Sequence, residues 1–344
     1  MRYKKIISVV IILVLIAGLM GCRQQNTDTE KEYKTTIMTT LFPYYDFTRA
    51  IVKGVDDIAV ELLVSPGQDD HSFEPTPADV VAINQADVFI YNGGSIETWI
   101  SDVLESLDNQ NQTTVRMMDC LEEELEEIAE RQDEEQVFAV EDHEHSHEDE
   151  EDVHQEEGDH HEEEHHHEID EHIWTSPVFA EVLVENICDT LCEKMPQYKD
   201  IFKKNTENYV NQIQDLDNQF RAVVDKADKK EIIFADKFPL KYFALEYGLK
   251  YYAAFDGCSG EMEPSAKTVA FLIDKVKAKD VHGIFYLELS SQAMADVICD
   301  DTGVEKYQFN SCHNITASQF DEGVTYVSLM QENVEVLKKA LNVN

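Results

Sequence analysis

Positive charge is scarce in this chain: 28 Lys and Arg stand against 70 Asp and Glu over 344 residues, for a formal net charge of −42. A surface so poor in cations cannot neutralise a run of phosphates, which excludes nucleic acid as a partner. The apolar run at the start, Ile6 to Leu19, would reach about 21 Å as a helix, short of the roughly 30 Å of a bilayer core. No G-x-S-x-G elbow, phosphate-binding loop or dinucleotide fingerprint occurs, so the common enzyme signatures are missing. What the charge balance favours is a cationic ligand, a solvating segment, or both.

The ends of the chain speak to compartment. Arg2, Lys4 and Lys5 precede the apolar run, which closes in Leu19-Met20-Gly21-Cys22. A basic start and a short apolar core describe a secretory signal over residues 1–22. The closing residues resemble the bacterial lipobox, in which the Cys becomes the lipidated N-terminus. An ordinary signal peptide or an uncleaved anchor is the alternative. The Cys directly after the core favours lipidation at Cys22, which would hold a monomeric protein on the extracytoplasmic face of the cell membrane. Residues 23–34 are polar and read as a tether.

Beyond the tether the chain is longer than one hydrophobic core usually serves, so two lobes are expected. Short apolar strands alternate with helices between Tyr33 and Val115, and again from Glu231 to Glu288. That alternation predicts α/β lobes with parallel sheets, residues 35–195 and 229–344. Between them, residues 196–228 contain no Gly and only Pro196 at the start. Tyr198, Ile201, Tyr209, Ile213, Leu216, Phe220 and Val223 keep helical spacing there, predicting one long linking helix with a buried stripe. A single long surface helix is the plainer alternative. The segment 122–170 is low-complexity: residues 122–171 carry 26 acidic residues and one basic one, Arg131. It is expected to be a disordered acidic, His-rich insertion.

Thirteen His occur, nine of them between His143 and His167. His143, His145, His147, His160, His161, His165, His166 and His167 interleave with Glu and Asp, and imidazole prefers Zn²⁺, Cu²⁺ and Ni²⁺. Without preorganisation they make weak, exchanging auxiliary sites; a purely solvating loop would explain the acids but not the His. His161-Glu162-Glu163-Glu164-His165 satisfies the H-E-x-x-H pattern, yet arises by composition in a tract of Glu and His and does not signal a metalloprotease. Outside the tract remain His71, His172, His282 and His313. His71 sits on a strand-to-helix loop, where ligands of parallel sheets bind. His172 sits where folded sequence resumes, His313 follows an apparent strand, and His282 reads as surface.

Several separated stretches now add up: Leu41-Phe42-Pro43-Tyr44-Tyr45-Asp46, Pro66-Gly67 to Pro77, Ala86 to Gly94, Glu97-Thr98-Trp99, His172-Ile173-Trp174 with Pro177, Tyr242-Phe243 with Tyr247-Gly248-Leu249, and Glu263-Pro264-Ser265. In order and spacing they resemble the zinc-binding members of the solute-binding proteins of metal ABC importers, a family that also serves manganese. The resemblance runs from about Tyr33 to the C-terminus. It implies two βα lobes joined by a rigid long helix, a metal in the cleft between them, and delivery of Zn²⁺ to a membrane permease driven by a cytoplasmic ATPase. It carries His71 and His172 over as ligands. The family's third position falls on Lys237, whose ammonium cannot ligate; Asp236 beside it is the substitute expected. The fourth falls close to His313, and Asp70 is an alternative oxygen donor or a hydrogen-bond partner. A His/His/His/Asp set suits tetrahedral zinc better than manganese or iron, which want more carboxylates. Cys258 and Cys312 stand where some zinc-binding members have a disulfide; thiolate ligation is the competing idea, disfavoured in an oxidising compartment. Of the seven Cys, Cys188 and Cys192 are four apart on a predicted helix and read as neighbours on one face. A surface zinc buffer or adhesin without a transport role is the reading from another class.

Overall fold

The computed structural model describes residues 34–68, 70–130, 169–257 and 264–343. One sheet contains β1 (Thr35–Thr39), β2 (Ile58–Leu62), β3 (Val88–Tyr91) and β4 (Thr113–Arg116), all parallel in the order β2-β1-β3-β4. The other contains β5 (Glu231–Phe238), β6 (Lys250–Asp256), β7 (Gly283–Leu287) and β8 (Glu305–Phe309), again parallel, in the order β6-β5-β7-β8. One topology is thus used twice, as the two βα series in the sequence predict. In each sheet the order reverses beside the first strand, and the crevice beyond the strand C-termini there is where such sheets hold ligands.

Parallel strands are covered on both faces, and side-chain alternation supplies the cover. Val88 and Ile90 of β3 enter a central core, while Phe89 between them joins an outer cluster with Ile83 and Val103. In β5, Ile232 and Phe234 face the same central core, and Ile233 and Ala235 face another outer cluster. Each large apolar side chain buried this way contributes about 1.5–3 kcal/mol.

The first lobe carries α1 (Phe42–Ile51), α2 (Pro77–Gln85), α3 (Ile100–Ser106), α4 (Glu122–Glu130) and α5 (Pro177–Lys194). Local sequence sets their starts. Thr76 and Asp79 form a reciprocal capping box with Pro77 in the first turn of α2, and the Ser176 hydroxyl accepts from Phe179 N ahead of Pro177 in α5. A 3₁₀ turn, Pro196–Tyr198, leads into α6 (Lys199–Lys226), 28 residues and about 42 Å long. Its stripe Phe202, Tyr209, Ile213, Leu216 and Phe220 is buried against α1, α5 and α11 (Tyr326–Ala340), so the surface-helix alternative fails. The second lobe adds α7 (Lys241–Tyr247), α8 (Ala266–Lys279), α9 (Ala293–Thr302) and α10 (Ala317–Glu322).

Asp46, 1% exposed, ties the lobes together on the linker side. Its Oδ2 accepts from the Tyr209 hydroxyl of α6 at 2.6 Å and from Tyr326 N of α11 at 2.8 Å.

One expectation needs correction. Residues 122–130, placed in a disordered insertion, form α4: Leu125 is buried, and Glu122, Glu123 and Glu124 sit at the positive end of the helix dipole. Acid-rich composition hides the apolar anchors, buried Leu125 and half-buried Ile128. The last helix begins at Tyr326, because Gly323 is the left-handed cap of α10 at φ 74°. Among the described residues no helix is long and apolar enough to cross a membrane. Cys22 and His143, His145, His147, His160, His161, His165, His166 and His167 lie outside the described residues.

Candidate metal centre

Three loops at strand C-termini or helix starts converge between the sheets. The first follows β2. Ser65-Pro66-Gly67-Gln68 is a type II turn, with Pro at its second position, Gly67 at φ 82° in its third, and Gln68 N donating to Ser65 O at 3.0 Å. Asp70 and His71 stand two and three residues beyond its end.

The second loop precedes α5. Asp170 Oδ1 accepts from His172 N at 2.8 Å and lies 2.8 Å from His172 Nδ1. The carbonyl of His172 accepts from the Thr175 hydroxyl at 2.7 Å. Backbone and ring are therefore fixed together. With Nδ1 turned to a carboxylate, Nε2 is the nitrogen left for a metal.

The third loop follows β8. Asn310 exchanges hydrogen bonds with the Asn333 side chain, each at 2.7 Å. Ser311 donates from N and Oγ to the carboxylate of half-buried Glu288 at 2.7 and 2.6 Å. Cys312 then adopts φ 60°, the left-handed region non-glycine residues rarely enter, and this turn presents His313.

The ligand nitrogens of His71, His172 and His313 all lie within 4.8 Å of one another. Their ring centroids stand 4.9 to 5.8 Å apart. Nitrogens sharing a tetrahedral zinc at about 2.0–2.1 Å are roughly 3.3 Å apart, so the cluster is spaced to close on one ion. Trp174 packs beside it, 5.4 Å from the His172 ring and 4.9 Å from His313, and its indole N–H donates across the lobes to Ser311 O at 2.9 Å. His172 and Asp70 are only 2% and 6% exposed. Water is largely excluded, which strengthens every charge interaction inside.

The electrostatics suit a cation. Desolvation, and then the charge of His313, push His71 down from 6.5 to about 3, with Lys237 a further contributor; its imidazole is neutral at physiological pH. Burial pushes the Asp70 carboxyl up, but His313 beside it wins and holds it below the usual range. Asp170 behaves likewise beside His172. Asp70 Oδ2 and His313 Nε2 form a buried ion pair, and neither atom has a hydrogen-bond partner beyond it among the described residues, so a donor oxygen and a donor nitrogen stand together at the cluster.

The structure brings His71, His172 and His313 together and places Asp70 against His313, outside the mutually close set. Asp236 is not among them. Its Oδ1 accepts from Lys237 N at 2.8 Å, and its Oδ2 accepts from Leu287 N at 3.0 Å and from the Ser290 hydroxyl, so both oxygens brace β5 against the end of β7. Cys312 is a fully buried free thiol, and Cys258, the partner expected for it, lies outside the described residues. Cys188 and Cys192 are unbridged neighbours, Sγ to Sγ 3.8 Å. His282 is exposed. Sequence reasoning missed Asp170, Glu288 and Asn314. Asp170 lies between Glu168 and Glu171 in a long acidic stretch, where nothing singles it out from its fellow acids, whereas the other two matter only through contacts distant in sequence.

Two α/β lobes with three imidazoles between their strand ends, those of His172 and His313 buried and that of His71 half-buried, define a metal-binding solute receptor. The chain belongs to the family described as "ZnuA: Zinc-uptake complex component A periplasmic", whose model matches residues 37–340. It is 30% identical over 328 residues to the high-affinity zinc uptake system protein ZnuA of Bacillus subtilis, covering 95% of this chain and 94% of that one. It is 32% identical over 336 residues to the zinc-binding lipoprotein AdcA of Streptococcus pneumoniae, covering 97% of this chain but only 61% of AdcA. The Zn(II)-bound ZnuA-like domain of that AdcA superposes with a TM-score of 0.67 at 29% identity, over 90% of this chain and 99% of the domain. The metal-dependent lipoprotein YcdH of Bacillus subtilis gives 0.69 at 29% identity, over 89% and 99%.

Proposed function

We propose that this protein captures Zn²⁺ between its lobes through His71, His172 and His313, with Asp70 supplying an oxygen or orienting His313, and delivers the ion to an importer permease. The observation carrying this reading is the buried set of three imidazole nitrogens within 4.8 Å of one another. Nitrogen donors select zinc over manganese or iron, which favour oxygen-rich sets. The protein acts as a receptor and not as an enzyme: with Asp70 as the fourth donor the ion would have no open position for a substrate. Lobes 35–195 and 229–344 with linker 196–228 are the working units. Lipidation at Cys22 would keep the receptor beside a permease and its cytoplasmic ATPase. The His tract would raise local zinc concentration near the site.

Metal content and competition binding on protein from residue 23 test this, comparing wild type, His172→Ala and a deletion of 131–168. One tight Zn²⁺ that survives the deletion and is lost in His172→Ala supports the site. Binding that vanishes with the tract and ignores His172 would make the protein a surface zinc buffer instead.

A further inference from the structure

The His313 loop and the His71 loop belong to different lobes, and besides the His313–Asp70 pair a further side chain joins them directly. Asn314, 4% exposed, donates from Nδ2 to Ser65 O at 3.0 Å and to Gln68 O at 2.8 Å. Its own Oδ1 accepts from Ile315 N at 2.7 Å, which orients the amide so that both N–H bonds point across the gap. The acceptors are the first and last carbonyls of the Pro66-Gly67 turn, whose backbone is set by proline's fixed φ and glycine's left-handed φ. Three residues beyond Gln68 lies His71, and one before Asn314 lies His313. Both N–H bonds of the amide end on backbone carbonyls, so the contact depends on the turn's shape and not on a side chain opposite.

We infer that Asn314 is a clasp for the closed site: a positioning residue that locks the His313 loop onto the His71 loop and slows release of the ion. His71 and His313 must part for a metal held between them to leave by lobe or loop opening, and that motion breaks both Asn314 hydrogen bonds. Opening therefore carries their loss in its barrier, and metal leaves slowly until something separates the turn from the loop. The inference rests on the zinc-receptor reading above.

The test is the dissociation rate of Zn²⁺ into excess chelator, measured for wild type, Asn314→Ala, Gly67→Ala and the double variant, with Co²⁺ absorption reporting the ligand set. Gly67→Ala meets no atom within 4 Å of the added Cβ but must hold φ 82°, so it loosens the turn without crowding. Each hydrogen bond is worth about 1 kcal/mol, so Asn314→Ala is expected to release zinc roughly tenfold faster or more, with the Co²⁺ spectrum retained. Gly67→Ala should act in the same direction, and the double variant should fall short of the product of the single effects because both act on one contact. An unchanged dissociation rate in Asn314→Ala, or full additivity with Gly67→Ala, overturns the clasp while leaving the zinc site standing. Should Asn314→Ala fold poorly, the release rate of Gly67→Ala decides the question alone. Wild-type protein that takes up no tight zinc would sink the receptor reading itself, and the clasp with it.

Discussion

Asp170 Oδ1 lies 2.8 Å from both the backbone N and the ring Nδ1 of His172, so one carboxylate oxygen fixes the residue and its ring together. This is the second contact that metal-bound histidines depend on for tautomer and aim. The Asp170 carbonyl is held in turn by the Tyr242 hydroxyl of the other lobe at 2.5 Å.

Asp170→Ala is therefore expected to weaken zinc binding about 10–100-fold, the usual effect of removing such a partner. Asp170→Asn keeps an oxygen for Nδ1 but loses the charge, and should fall between Ala and wild type. Competition titration against a zinc chelator reads both. Equal affinity for Asp170→Ala and wild type would show that His172 needs no orientation from this carboxylate.

The ligand set gives a sharper contrast. Asp236 is occupied by Lys237 N, Leu287 N and Ser290, whereas His313 faces Asp70 within the cluster. His313→Ala should lower zinc affinity by a hundredfold or more, roughly the loss of one of four ligands. Asp236→Asn should leave affinity within about threefold and instead lower thermal stability, by about 1–3 kcal/mol, because it unsettles buried hydrogen bonds. A large affinity loss in Asp236→Asn would return it to the ligand set.

Much of this is legible in the residues. Alternating apolar strands and helices predict both sheets and the long α6, because periodicity and capping residues such as Thr76 and Ser176 act locally. His71 and His172 stand out as loop histidines next to ordered sequence. The failures share one cause. Asp236 is favoured by its neighbour in sequence, and only the fold shows its oxygens already taken by Leu287 and Ser290. Glu288 reaches Ser311, and Asn314 reaches Ser65 and Gln68 across the lobe boundary; no spacing rule links such positions. α4 escapes notice because its apolar anchors, Leu125 and Ile128, are scattered in a run of acids.

Lys237 offers a test of charge without coordination. It is one of the groups that press His71 below its ordinary range, and the same positive charge opposes an incoming divalent ion. Lys237→Gln is expected to raise zinc affinity roughly two- to fivefold, with a smaller dependence on salt than in wild type, since a partly screened charge acts at modest strength. Isothermal competition at two ionic strengths checks both points. Weaker binding in Lys237→Gln would mean that the ammonium supports the site, for instance by holding Asp70 in place.

Glu97 gives the stability of the metal-free protein a pH dependence of its own. Its carboxyl is 5% exposed, and burial raises it from 4.5 to about 7, only partly offset by the hydrogen bond from Gly93 N to Oε2 at 2.7 Å. A folded value above the unfolded one means the native state binds the proton more tightly. The resulting stabilisation is complete below about pH 4.5 and is lost as pH rises through about 7. His71 runs the other way: its folded value near 3 costs stability as pH falls from 6.5 towards 3. The total curve mixes the two, so the Glu97 contribution is read as a difference. Glu97→Gln keeps a neutral, hydrogen-bonding side chain at every pH. Relative to wild type it should gain about 2–3 kcal/mol between pH 4.5 and 8, by denaturant unfolding in the presence of chelator. Parallel curves for the two proteins across that window would mean that Glu97 is ionised in the native state, its charge balanced within the lobe, and that burial does not govern its proton.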